Sequence, residues 1–296
     1  MGWRRLAAIG ANLTQQRRRL IVLATLALGA VPAFGQQQAA QEGVNVGKTS
    51  SFSKLVPAGQ VEQQAGLQYQ QLKQQAAQKR ALAPEGDPQL LRLRAIAQRL
   101  MPYTPKWNDR AKSWQWEVNL IGSNQINAFC MPGGKIAFYT GILETLKLSD
   151  DEVAIVMGHE IAHALREHAR ERMGKQAATN VGANIASQVL GLGRTGNAVL
   201  GASANLLTLK FSRDDETEAD TVGLELAARA GYDPRAGISL WKKMQAANKG
   251  APPQWLSTHP ASATRIQEIE KNLPRVMPLY VRASGQYGAP APPPKG

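Results

Sequence analysis

The chain has 296 residues, 43% of them hydrophobic, with 35 Lys and Arg against 22 Asp and Glu and a single cysteine. That length accommodates one large domain or two small ones. One thiol excludes an intramolecular disulfide framework and any zinc knuckle built on paired cysteines. The net charge of +13 falls to +8 once Arg4, Arg5, Arg17, Arg18 and Arg19 are set aside, and the remainder forms no long basic run. A nucleic-acid partner is therefore not expected, while a basic face could favour a peripheral membrane contact.

Those five arginines precede an apolar stretch from Leu20 to Ala30, followed by Pro32, Ala33 and Gly35. The pattern predicts a secretory signal peptide over 1–35 with cleavage after Gly35, hence a periplasmic protein. The apolar run is shorter than the roughly 20 residues of a membrane span. The alternative is an inner-membrane anchor formed by an uncleaved N-terminus. Residues 36–58, rich in Gln, Gly and Ser, read as a flexible leader.

Apolar spacing predicts helices over about 60–80 and 88–101, the second opened by Asp87 and Pro88. Alternation from Trp114 to Leu120, then Ile126 to Met131 and Lys135 to Thr140 with turns between, predicts three strands in an antiparallel meander. Ser149 and Glu152 form a capping box for a helix expected to run through Met173. Further helices are expected from Asp214 to Arg229, after Asp233 and Pro234, and from Pro260 to about Asn272. The expected class is α+β, mainly α, with a domain over 59–275 and a Pro-rich tail over 276–296. The low-charge segment 176–209 reads either as a lid or membrane-touching helix, or as an ordinary packed hairpin.

The capped helix contains His159, Glu160, Ile161, Ala162 and His163. Histidines four apart project from one helix face a turn apart and can grip one metal ion. Glu160 stands beside them, where its carboxylate can take a proton from a metal-activated water. A catalytic zinc site needs a third protein ligand. Glu167 lies about 12 Å along the axis from His159 and cannot converge with both histidines. Glu216 offers a ligand from another helix, with Asp220 on the same face to hold a ligand histidine from behind and small Ala219 allowing close approach. The competing reading makes the acids from Asp214 to Asp220 a solvated face, and Glu218 is assigned to it. His168, nine residues from His159, is expected to face away from the metal as a surface or packing residue. Cys130 is expected to be a small buried hydrophobe.

Asn127, Ala128 and Phe129 with Pro132, Gly133 and Gly134, HEIAH at 159–163, SRDDETEAD at 212–220 and STHPASATR at 257–265 occur in that order. Together they resemble the HtpX/BepA-like zinc metallopeptidases, peptidase family M48, relatives of the CAAX prenyl endopeptidases. The resemblance implies a zincin-like helical core and one Zn2+ per chain on His159, His163 and Glu216, with Glu160 as base. It also implies that His259 approaches the metal, either stabilising the oxyanion or occupying the open coordination position. Substrate peptide is expected to pair with the strand edge at Asn127, Ala128 and Phe129, since backbone pairing tolerates any sequence.

The resemblance further implies an endopeptidase of the cell envelope acting on unfolded or misassembled proteins. The alternative is a zinc-stabilised periplasmic chaperone or assembly factor with little proteolytic turnover.

Overall fold

Apolar side chains recurring at Val61, Ala65, Tyr69 and Ala76 give helix α1 (Ala58–Gln78) its buried stripe. Asp87 caps α2 (Pro88–Leu100), accepting from the amides of Gln89 and Leu90 at 2.9 Å each. The computed structural model describes residues 43–189, 205–248, 253–259 and 264–287, all within one compact unit spanning residues 40–296. The expected signal peptide, its cleavage point and the expected opening of the last helix at Pro260 lie outside the described residues.

Three strands follow: β1 (Glu117–Ile121), β2 (Ala128–Met131) and β3 (Lys135–Tyr139). The expected antiparallel meander is corrected to a mixed sheet in the order β1-β3-β2, with β1 parallel to β3 and β2 antiparallel to it. Ile136, Ala137 and Phe138 bury the middle of β3, which takes the centre. Its turn from β2 is tight because Gly133 and Gly134 both adopt positive φ. Alternation then divides the sheet. Ala128, Cys130, Ile136 and Phe138 face the main core with α2, while Met131, Ala137 and Ile121 face Tyr69 of α1. β2 is left as an edge strand.

Helix α3 (Thr140–Leu146), not foreseen in the sequence, leads to α4 (Asp150–Leu165), whose capping box at Ser149 and Glu152 is formed as expected. Every residue of α4 from Val153 to Leu165 is buried, so it is the central helix rather than an amphipathic one. It also stops eight residues early. Glu167 takes a left-handed φ of 60°, and a new helix, α5 (His168–Val189), departs from there.

Helix α6 (Arg213–Arg229) carries a second capping box, Ser212 with Asp215, and packs on α4. Helices α7 (Ala236–Ala247), α8 (Gln254–Thr258) and α9 (Arg265–Tyr287) complete the shell. The boundary expected at 275 is not a structural one: α9 runs on to Tyr287, burying Val276, Leu279 and Ala283. The expected leader also has structure, since Val44 is buried and Ser51–Leu55 forms a 3-10 turn against α5. Among the described residues no helix is long and apolar enough to cross a membrane.

Candidate metal centre

Two glycines set the site. A Cβ on Gly158 would lie 2.7 Å from the carbonyl oxygen of Gly223, and one on Gly223 would lie 2.6 Å from the amide nitrogen of His159. Only glycine at both positions lets α4 and α6 approach so closely. The approach, attributed in the sequence to Ala219, brings Glu216 of α6 against the two histidines of α4.

His159, His163, Glu216 and His259 converge, each 2–3% exposed. His159 Nε2 is 3.1 Å from His163 Nε2 and 3.3 Å from His259 Nδ1. Glu216 Oε1 is 3.0 Å from His259 Nδ1 and 3.4 Å from His163 Nε2, and Glu216 Oε2 is 3.6 Å from His159 Nε2. Ligand atoms at 2.0–2.1 Å around a tetrahedral ion are about 3.3 Å apart. The donor set therefore fits a zinc-sized cation: imidazole and carboxylate lone pairs gathered in a dry site with too few protons to satisfy one another.

The directions of the shifts at His163 and Glu216 suit that role. Burial pushes His163 well below the usual imidazole range, into the neutral ligand form. Burial alone would raise the Glu216 carboxyl, but the neighbouring His163 and His259 imidazoles bring it far below its usual range. Burial would likewise lower His259, yet the neighbouring Glu160 and Glu216 carboxylates raise it.

Asp220 lies behind His159. His159 Nδ1 donates to Asp220 Oδ1 at 2.9 Å, which leaves Nε2 free to face the centre. Arg265 had not been singled out in the sequence. Its Nε donates to Asp220 Oδ2 at 2.6 Å, its Nη1 donates to Glu216 Oε2, and its guanidinium lies 3.9 Å above the Trp241 ring. Burial opposes the charge on Asp220, and Arg265 overcomes it, holding Asp220 below the usual carboxylate range.

Trp255 was also missed. Its indole Nε1 donates to Glu160 Oε1 at 2.6 Å and its ring stacks on His259 at a centroid distance of 4.9 Å. One tryptophan thus orients the candidate base and the fourth histidine together.

Two expectations are corrected. His168 does not face away: its Nδ1 is 2.9 Å from His163 Nδ1, and its Nε2 is 3.2 Å from Glu218 Oε2. Glu218 is not a purely solvated acid, because it also accepts from Arg166 Nε at 2.6 Å. Both errors came from extending one helix through 166 and 167, where the left-handed Glu167 redirects the chain. Glu167, as expected, stays off the centre, and accepts from Arg170.

Asn127, Ala128 and Phe129 line a cleft with Glu160, His163 and His259. Asn127 pairs through its carbonyl with the Tyr139 amide, at 3.1 Å. Leu206 and Leu207, from the end of the segment read as a lid or a hairpin, line the same cleft, and the Leu206 amide is held by Gln68 Oε1 at 3.1 Å. Cys130 lines the cleft too; burial and the nearby Glu160 charge push its thiol well above the ordinary range.

The model of Peptidase family M48 matches residues 89–273, a segment that contains every residue of the centre. The chain is similar to the mitochondrial metalloendopeptidase OMA1 of Arabidopsis thaliana, 42% identical over 150 residues, covering 51% of this chain and 30% of that protein. It is 39% identical over 163 residues to the corresponding Schizosaccharomyces pombe protein, covering 54% and 47%. It is 29% identical over 182 residues to the Escherichia coli beta-barrel assembly-enhancing protease, covering 57% and 36%. The match spans less than half the length of each of these relatives.

Proposed function

The chain belongs to peptidase family M48, and from that membership we propose that it is a zinc-dependent endopeptidase of the cell envelope, hydrolysing peptide bonds in misfolded or unassembled envelope proteins. The observation that carries the proposal is Glu160. A site built only to bind metal needs no carboxylate beyond Glu216 and the bracing Asp220, yet Glu160 is 2% exposed and fixed by the Trp255 indole beside the converging ligands. Names of the relatives support proteolysis, in mitochondria for one group and in β-barrel assembly for another. Export to the periplasm rests on the arginine-led apolar segment in residues 1–35, with retention as a membrane anchor the alternative.

His159, His163 and Glu216 would hold the ion. Zinc held there supplies Lewis acidity, polarising a peptide carbonyl and lowering the pKa of a water. Glu160 accepts the water's proton and returns it to the departing amine. Trp255 keeps one carboxylate oxygen engaged, leaving the other to the water. The free edge of β2 at Asn127, Ala128 and Phe129 aligns an extended peptide by backbone pairing, without demanding a particular sequence.

His259 fills the fourth corner of the ligand set, which supports an inhibitory resting contact over direct oxyanion stabilisation. It must withdraw before water and peptide can enter. Replacing it by alanine should raise basal cleavage if the contact is inhibitory, and lower it if His259 stabilises the oxyanion. The same closed arrangement is what favours the second reading, a zinc-stabilised chaperone or assembly factor with little turnover.

Cleavage of casein by purified protein, with and without chelator and against Glu160→Gln, tests the proposal. We expect chelator-sensitive cleavage that falls by about 100-fold or more in Glu160→Gln with zinc content unchanged. Equal cleavage by parent and variant would remove Glu160 as the base. No cleavage by the parent or by His259→Ala would favour the chaperone reading.

A further inference from the structure

We propose that His168 is a positioning residue for the metal ligand His163, the middle member of a hydrogen-bonded chain that runs from His163 through His168 to Glu218 and Arg166. The inference rests on the metal-centre reading above. It concerns how one ligand is aimed, not whether the ligand set exists.

Geometry dictates the direction of the chain. His163 Nε2 faces the converging ligands, so its lone pair must point there and its proton must sit on Nδ1. Among the described residues the partner of that Nδ1 is the Nδ1 of His168, 2.9 Å away, which must therefore accept. His168 then carries its proton on Nε2, 3.2 Å from the Glu218 carboxylate. Arg166 closes the chain by donating from Nε to Glu218 at 2.6 Å, and also donates from Nη2 to the carbonyl of Gly47. Every donor meets an acceptor and no tautomer is left free.

Burial makes the arrangement consequential. His163 and His168 are 3% and 1% exposed, so no bulk water can replace either partner. An outer partner fixes which nitrogen of a ligand histidine is available and how its ring is turned. The 3.9 Å stacking of Phe211 on His163 fixes the ring plane from its face, but supplies no acceptor for Nδ1. Among the described residues His168 supplies that. Its position depends on the break at Glu167, which starts α5 at His168 and turns the imidazole back toward α4.

The test is zinc affinity of the full chain, measured by competition with a chromogenic chelator, for the parent, His168→Leu, His168→Gln and Glu218→Gln. His168→Leu removes the acceptor and should weaken zinc binding by roughly 10- to 100-fold. His168→Gln keeps an acceptor and a donor on one planar group and should recover at least half of that loss on a logarithmic scale. Glu218→Gln, at a partly exposed position, still accepts from His168 and should cost less than about tenfold. It also keeps the inference falsifiable if the leucine variant does not fold. Leucine and glutamine variants that bind zinc as tightly as the parent would overturn the relay. Equal losses in both would also overturn it, leaving His168 as packing only. Should Glu218→Gln bind as weakly as a ligand deletion, the positioning role would pass from His168 to Glu218 and the inference fails as stated. A parent chain that binds no zinc would instead overturn the metal-centre reading itself.

Discussion

His159 and His163 stand on the same face of α4, one turn apart, yet they are braced in different ways. His159 reaches a carboxylate directly, and Arg265 ties that carboxylate, Asp220, to Glu216, the proposed third ligand. On its outer side, through Nδ1, His163 reaches a carboxylate by way of a second histidine, and the arginine at the end of that arm holds the chain's own N-terminal segment at Gly47. The first arm is closed and charged: Arg265 is 3% exposed and shared between two acids. The second is longer and ends nearer to solvent, with the Glu218 side chain 26% exposed. Strength of bracing should therefore differ although the two histidines are chemically alike.

The largest effect should come from the closed arm. Glu216→Ala removes a ligand and half of the compensation for Arg265, and Arg265→Gln leaves Glu216 and Asp220 facing each other without their shared cation. Breaking such a buried pair costs about 3–5 kcal/mol. Urea unfolding of the metal-free variants should show a loss of that size, and Glu216→Ala should not retain stoichiometric zinc. Full zinc occupancy at parental affinity in Glu216→Ala would remove Glu216 from the ligand set.

Next comes the helix crossing on which both arms depend. Gly223→Ala places a methyl 2.6 Å from the His159 amide nitrogen, against backbone that cannot swing away. Overpacking of this kind costs about 1–3 kcal/mol, and here it should also push α6 off α4 and weaken zinc binding. A variant with unchanged stability and unchanged affinity would show that the crossing is looser than the two glycines imply.

Asp220→Asn sharpens the contrast between the arms. The amide retains shape but loses the charge that holds Arg265, and it can present its NH2 to His159 Nδ1 in place of an acceptor. Zinc affinity should fall by roughly 10- to 100-fold, more than for the corresponding Glu218→Gln change in the second arm. Equal losses in the two would mean that direct and relayed bracing are equivalent.

The first arm was legible in the sequence and the second was not, for reasons that lie in specific residues. Glu216 and Asp220 are four apart on a capped helix, so periodicity alone places them on one face, as it does His159 and His163. Arg265 lies 45 residues from Asp220, with no local pattern to join them, although two buried acids beside a metal site imply a cation somewhere. His168 was misread because Arg166 and Glu167 carry no Gly or Pro to signal a break, and a Glu at φ 60° is uncommon. Trp255 sits four residues before His259, close enough to suggest a shared role that only the fold confirms. Strand positions were visible from alternation, whereas the order β1-β3-β2 depends on pairing between distant segments.

The smallest effect is expected at the far end of the second arm, in Arg166→Gln. Arg166 donates to Glu218 at 2.6 Å and to the Gly47 carbonyl, so its loss touches both the relay and the N-terminal segment. Two features limit the damage. Glu218 is open enough for water to take up the freed oxygen, and a partly exposed ion pair is worth only about 0–1 kcal/mol. His168 moreover keeps its own contact with Glu218, so the tautomer of His163 has no reason to change. Stability should fall by about 1 kcal/mol, mainly from the Gly47 contact, while zinc affinity should stay within roughly threefold of the parent. That separation, a small stability loss without a matching affinity loss, is what a relay that acts by fixing the direction of its hydrogen bonds requires. If Arg166→Gln instead weakened zinc as much as Asp220→Asn, charge at the end of the arm would be controlling the ligand. The two arms would then work by the same electrostatics at different lengths.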